Sequence, residues 1–597
     1  METGPVDLRD EPHHDGSPLY LDDEAPALGS HVGVRVRTST AQPTDAVWVR
    51  TVEDGEPFYE QCTVETVETV QTEETETVWW RGRVHVRNPV ERYRFLVVRG
   101  DSFRWLNAAG VWDHDVTDAH DFTVSVYDAP PAWGRDAVVY QVFPDRFARS
   151  AAAAERPLPD WASPAAWHDD PIHEGPLTPL QLYGGDLDGI TEHLDHVAEV
   201  GADTLYLTPV FPAESNHRYN ASTFDEVDPL LGGDAAYRRL VDATHGRGWR
   251  ILGDLTSNHT GDTHEWFRRA QVDPGSVERG FYFFDENGGH EGWKGHGTLP
   301  KLDHTDPALG ERFRAVVARW LDFGLDGWRI DVANMTGRHE EVDIARDVAR
   351  EIRRVSESHA VDPLVLAEHG HDATGDLPGD GWHGTMNYYG FSFPVWEWLH
   401  RTDRPVPSFG WPVDLPVRTG PQAFTAMRAF LASFGWRAVT ASWNILGSHD
   451  TPRIRTVTGT ADRQHAAAVL QFCLPGVPMV FAGDELGLEG TDGEDSRRTM
   501  PWAERAHWDT RTMAVYRRLA DLRAGHPALR RGGLRWLRIE DDEVLFVREH
   551  PAGDVLVSVH RSGTPTDPDH PEAEELLHLA GDAGARIWLL PRRDVRS

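Results

Sequence analysis

The chain has little of three things. Only two of its 597 residues are cysteine, Cys62 and Cys473, and they lie in what read as different domains, so no disulfide framework is expected. Only two are lysine, Lys294 and Lys301, so nearly all of the 59 basic residues are arginine. No apolar run approaches the ~18 residues of a membrane span. The opening METGPVDLRDEPHHDG lacks the charged-then-apolar pattern of a secretory signal, which makes a cytoplasmic location the expectation. Basic charge is itself scarce: 96 acidic residues give a formal net charge of −37. Such a field repels nucleic acid and anionic membranes, so neither is expected as a partner. The acid excess fits salt adaptation and a GC-rich genome equally.

What is present divides the chain. Residues 1–130 contain HVGVRVRTS, AVWVRTV, VWWRGRVHVR, YRFLVVRG and DFTVSVYD, whose period of two predicts an antiparallel β-sandwich. Within it the acidic, threonine-rich run 63–78 reads as a charged edge strand that discourages aggregation, with a flexible loop as the alternative. The proline-marked DAPPAWG leads into residues 131–527, where strands such as VVYQVF and DTLYLT alternate with amphipathic stretches such as GITEHLDHVAEVG. The interval 256–306 is too long for an ordinary strand–helix loop and reads as a small excursion over a cleft. Residues 528–597 return to short strands (LRWLRIE, EVLFVRE, DVLVSVH, ARIWLL), predicting a second sandwich. No tandem repeat is found.

Three acids carry the chemistry. Asp331 in DGWRIDVAN, Glu368 in LVLAEHGHDA and Asp450 in ILGSHDTPR each follow a short apolar run, with gaps of 37 and 82 residues. A strand–helix–strand unit takes roughly 30 residues or more. The acids therefore fit strand ends one and then two steps apart in a parallel barrel, the side where such barrels keep their chemistry. Alternation puts Arg329 on the face of Asp331, where its charge favours the ionised carboxylate. The same pair would serve equally to hold the barrel together. Glu368 ends an apolar run, and desolvation there would raise its pKa into the range of a general acid. Three convergent acids on one rim suggest glycosidic bond cleavage.

The ordered motifs from about Val138 to Glu485 resemble those of the alpha-amylase superfamily, glycoside hydrolase family 13. GDLTSNHTG is similar to its first conserved region, with Asp254, Asn258 and His259. DGWRIDVAN resembles the second, AEHGHDA the third, GSHDTPR the fourth, and LPKLD an additional segment. The resemblance implies a (β/α)8 TIM barrel with a starch-binding-like N-terminal sandwich, a loop domain after barrel strand 3 and a C-terminal sandwich. It also implies that Asp331 is a nucleophile, Glu368 an acid/base and Asp450 a transition-state stabiliser. Asp254, His259, Arg329, His449, Arg453 and a stacking Tyr219 are the implied substrate-binding residues. The substrate implied is an alpha-glucan oligosaccharide, and a homodimer is common in the branch.

SNHRYNASTFDEVDPLLGGD and MNYYGF resemble the cyclomaltodextrinase, neopullulanase and maltogenic amylase branch. Within it, His369 after the acid, followed by MNYYGFSFPVW, is most similar to maltodextrin glucosidases. A retaining alpha-glucosidase acting on maltodextrins is thus the first reading, with cyclomaltodextrinase, neopullulanase, maltogenic amylase or a transglycosylating or isomerising relative as the alternative. A non-catalytic protein on the same scaffold is disfavoured, because all three acids are kept. Relatives in the branch often hold calcium between an Asn/Asp-rich loop and the GGD turn. Here the loop reads RSAAAAERPLP and leaves Asp186 alone, so no metal or cofactor is expected.

Overall fold

The computed structural model describes residues 6–69, 76–408, 410–563 and 572–591. Its centre is a closed barrel of eight parallel strands, here β1 (Val139–Val142), β2 (Thr204–Leu207), β3 (Arg250–Thr256), β4 (Gly327–Asp331), β5 (Leu364–His369), β6 (Gly384–Asn387), β7 (Trp443–Ile445) and β8 (Val477–Phe481). Every residue of β1, β2, β4, β5, β6, β7 and β8 is buried. That is why strands such as β2 and the start of β5 read as apolar runs, since barrel strands are covered on both faces. Around them pack helices such as α1 (Gly233–Gly246), α2 (Pro307–Phe323), α3 (Ala345–His359), α4 (Gly420–Ala432) and α5 (Ala461–Cys473). Helix α2 begins cleanly because the Asp306 side chain accepts from Ala308 N and Leu309 N, with Pro307 at the first helical position. Its buried Leu309, Phe313, Val316, Val317, Trp320 and Leu321 make one apolar stripe.

Register sets the chemistry. Asp254 of β3 pairs with Arg329 of β4, and Thr256 with Asp331. On the other side Arg329 pairs with Leu366 and Ile330 with Ala367 of β5, so one step further Asp331 stands beside Glu368. The strands approach so closely at Gly327 that a Cβ there would overlap the Leu364 carbonyl. Trp328 faces outward among Trp320, Leu325 and Tyr237, as alternation requires.

Two antiparallel sheets precede the barrel. His31–Ser39, Glu76–His85 and Thr63–Thr69 form one, and Ala46–Glu53 and Val90–Arg99 anchor the other. Their inner faces share a core that includes Val34, Val47, Trp80, Tyr93 and Phe95. Of the run 63–78 expected as one edge strand, Thr63–Thr69 lies at the edge while residues 76–78 begin the central strand Glu76–His85; residues 70–75 lie outside the described residues. The C-terminal strands form one antiparallel sheet against α5, joined at its edge by Val6–Asp7 from the other end of the chain. No helix among the described residues is long and apolar enough to cross a membrane.

Candidate active site

Arg329 is the hub of the rim. Its guanidinium is fully buried and touches three carboxylates: Asp254 Oδ1, Asp331 Oδ1 and Glu368 Oε1, each at 2.9 Å. The sequence reading gave Arg329 to Asp331 alone. The register of β3, β4 and β5 makes it common to all three, so one positive charge is shared among three acids. Burial pushes Asp331 well above the ordinary carboxylate range, against the pull of Arg329 and with a further push from Glu368. Burial raises Glu368 as well, again opposed by Arg329. Asp254, also raised by burial, is brought to about 6. Like charges this close disfavour one another's ionisation, so Asp331 and Glu368 are expected to titrate as a pair with one proton between them.

Glu368 is also held from the backbone. Val332 N donates to Glu368 Oε2 at 2.9 Å. Val332 has φ 41°, a conformation that is strained for a β-branched side chain. Strain of roughly 1–3 kcal/mol clusters at functional sites, and here it aims an N–H at the acid.

On the opposite side a chain of hydrogen bonds fixes the remaining groups. Gln141 Nε2 donates to His449 Nδ1 at 2.8 Å, which places the ring proton on Nε2. His449 Nε2 then donates to the Tyr219 hydroxyl at 2.7 Å, and Tyr219 donates to Asp254 Oδ2 at 2.9 Å. Tyr206 donates to the same oxygen at 2.5 Å. Burial depresses the His449 pKa well below its ordinary value, so the ring is neutral. Tyr219 and His449 lie 5.4 Å apart at 8° between ring planes. Asp450, the most open of the three acids at 28% side-chain exposure, meets Arg497 Nη2 and His449 Nε2, both at 3.2 Å. His259 is buried beside Trp293, with ring centroids 5.7 Å apart. Both lysines lie in the excursion after β3. Lys301 Nζ donates to Asn258 Oδ1 at 2.9 Å, and Lys294 adopts φ 47° beside Trp293.

The structure therefore gathers Asp331, Glu368, Asp450, Tyr219, Asp254, His259, Arg329 and His449. It does not gather Arg453. That guanidinium is 1% exposed, donates to the carbonyls of Ser496 and Ala482, and pairs with Asp484 at 2.9 Å. Arg453 is a buried brace behind β8, because it follows the turn after His449 and Asp450 and enters a short helix at Ile454–Thr458. His369 points away too: its side chain is fully buried and faces Asp376 at 3.6 Å, as its place next to Glu368 on β5 requires. Gln141, Tyr206, Arg497, Trp293 and the Val332 amide were not anticipated. Gln141 left a signal, a polar residue inside an apolar strand; Arg497, on a long loop, left none.

The GGD turn does not fit a metal ion. Asp186 Oδ1 accepts from Ser150 N and Gly189 N at 2.9 Å each, and Oδ2 accepts from Ser150 Oγ and Arg156 Nη1 at 2.7 Å each. Arg156 also donates to Leu230 O at 3.1 Å. The carboxylate already has its cation, supplied by the alanine-rich loop. Among the described residues no group of three or more His, Cys, Asp or Glu side chains is arranged to hold a metal.

This constellation has counterparts. Residues 141–515 match the alpha amylase catalytic domain family. A cyclomaltodextrinase of Bacillus sp is 30% identical over 78% of this chain and 81% of its own length. Neopullulanase 2 of Thermoactinomyces vulgaris is 32% identical over 77% and 74%. The solved cyclic alpha-maltosyl-(1→6)-maltose hydrolase of Arthrobacter globiformis superposes with a TM-score of 0.64 at 30% identity, over 72% of this chain and 93% of that one. A solved cyclomaltodextrinase shares the fold across 97% of both chains, with a TM-score of 0.70 at 24% identity. With more than half of its length matched and its barrel, rim acids and flanking sheets in place, the chain belongs to the alpha-amylase family of glycoside hydrolases.

Proposed function

We propose that the chain is a retaining alpha-glucan hydrolase of the cyclomaltodextrinase, neopullulanase and maltogenic amylase kind. The observation that carries the retaining mechanism is a single guanidinium, Arg329, in contact with both Asp331 and Glu368 at 2.9 Å. Two carboxyls bridged by one planar group are compatible with the ~5–5.5 Å separation of retaining enzymes, which leaves no room for an inserted water. Asp331 attacks the anomeric carbon, forming a C–O ester bond as the glycosidic C–O bond breaks. Glu368 delivers its proton to the departing oxygen. Water then attacks the same carbon, gives its proton to Glu368, and releases Asp331. A glycosidic oxygen hydrogen-bonded to Glu368 selects the placement of the shared proton on that residue. Asp450, His449, Asp254, His259 and Tyr219 hold the hydroxyls and apolar face of the distorted ring, with Asp450 counting most in the transition state.

The names borne by the relatives support the branch over the glucosidase reading. The MNYYGF likeness keeps the glucosidase as a second reading. Chromatographed products from cyclodextrin, pullulan and maltotriose decide between them. Ring opening, with maltose or panose accumulating, is expected; glucose released stepwise from maltotriose, with cyclodextrin untouched, would restore the glucosidase. The reading extends to a homodimer, checked by sedimentation. It extends also to a cytoplasmic location, in line with a 29% identical relative named intracellular maltogenic amylase in Bacillus subtilis.

A further inference from the structure

A cavity of about 130 Å³ lies where the N-terminal segment, the barrel and the C-terminal sheet meet, away from the catalytic rim. His13 and Asp15 line it from the N-terminal segment, Gly110 from a hairpin, Arg428 from α4, and Arg535 and Trp536 from the C-terminal sheet. Glu11 and Arg535 have ion partners, and Asp15 has neutral donors. Glu11, also on the wall, meets Arg104 at 2.6 Å, and Arg535 meets Glu549 at 3.1 Å. Asp15 accepts from Ser17 N at 2.8 Å and from Leu534 N at 2.7 Å. Arg428 has neither a hydrogen bond nor an ion pair among the described residues, although it is half-buried. Room is kept for it: Gly110 has φ 140°, and a Cβ there would overlap Arg428 Nη2. His13 Nε2, buried in the same wall, is also unpartnered.

An unmatched guanidinium in a chain of net charge −37 needs explaining, because buried cations are paired and buried polar atoms hydrogen-bonded. A pocket between domains with a few converging polar groups is the usual form of a small-molecule site. A neutral sugar would leave the positive charge uncompensated, and a cation would be repelled. Guanidinium and a neutral imidazole N–H are both donors, and together they match an oxyanion, to which Arg donates through a planar fork. We propose that this cavity is a binding site for a small oxyanion, a phosphate or carboxylate group held by Arg428 and His13. Burial pulls the Arg428 pKa down to about 10, the direction expected of a cation lacking its counter-charge.

The test is calorimetric titration of the full chain with inorganic phosphate, acetate and glucose 1-phosphate at constant ionic strength. Saturable 1:1 binding of at least one is expected, weakened tenfold or more in Arg428→Met, whose maltodextrin turnover stays at the wild-type level. Phosphate and acetate binding alike would indicate a bare oxyanion; glucose 1-phosphate alone would indicate that the body of the ligand also contacts the wall. Should Arg428→Met not fold, Arg428→Lys keeps the charge, loses the fork and should bind several-fold more weakly. No saturable binding by the wild-type chain, or equal affinity in the Arg428 variant, would overturn the proposal.

Discussion

Asp331 and Asp186 are both aspartates buried against an arginine, and they are built in opposite ways. At Asp186 two backbone amides, one hydroxyl and one guanidinium supply a donor to every side of the carboxylate. At Asp331 one guanidinium is divided among three acids, and among the described residues Arg329 is the one hydrogen-bond partner of Asp331. A buried carboxylate with all its donors supplied holds structure. One that must share a cation retains a proton and a reactive lone pair, which suits a pair that trades a proton during a reaction. The first kind should be costly to remove and the second cheap for the fold but ruinous for turnover.

Substitutions should separate the two along that line. The largest effect is expected at the rim: Asp331→Asn should lower kcat by ~10⁴-fold or more and Glu368→Gln by ~10²–10⁴-fold in steady-state assays. Both variants should melt at or above the wild-type temperature, since each removes an excess buried charge. A Tm well below wild type would erase the contrast. Next, Asp186→Ala should leave Arg156 facing an unfilled site and cost about 3–5 kcal/mol in denaturant unfolding, with kcat per folded molecule little changed.

The pH profile sharpens the same point. Burial raises the pKa of both Asp331 and Glu368. At low pH both are protonated and the nucleophile is lost. As pH rises through the upper value of the pair, the shared proton leaves and the general acid is lost. The kcat/KM profile should be bell-shaped, with a basic limb falling tenfold per unit. A profile flat to high pH would contradict a shared proton. Smaller again is Tyr219→Phe, which cuts the link from His449 to Asp254 and should lower kcat/KM by about tenfold, the worth of roughly 1–1.5 kcal/mol. Smallest is the chelator: EDTA should not move Tm, because Arg156 fills the place of a cation at Asp186. Arg156→Ala should lower stability by about 2 kcal/mol.

Much of this was legible in the chain. Apolar runs ending in Asp331, Glu368 and Asp450 marked strand ends because barrel strands are buried on both faces, and period two marked the N-terminal strands because one face is wet. The alanine run could not show that Arg156 would pair with Asp186, since only the folded loop brings the two together. The sharing of Arg329 was hidden, being a matter of register between three strands far apart in sequence. Arg453 misled because it sits in the same motif as His449 and Asp450, and a motif does not tell which side of a turn a side chain takes.

The most direct test of the account is the mass of the trapped intermediate. A slow, activated fluorinated alpha-glucoside, mixed with enzyme and quenched with acid, should add one glycosyl unit, located by peptide mapping on the fragment that carries Asp331. Labelling should vanish in Asp331→Asn and build up slowly in Glu368→Gln. A glycosyl adduct on any other carboxylate, or turnover without an adduct and with inversion at the anomeric carbon, would contradict the assignment.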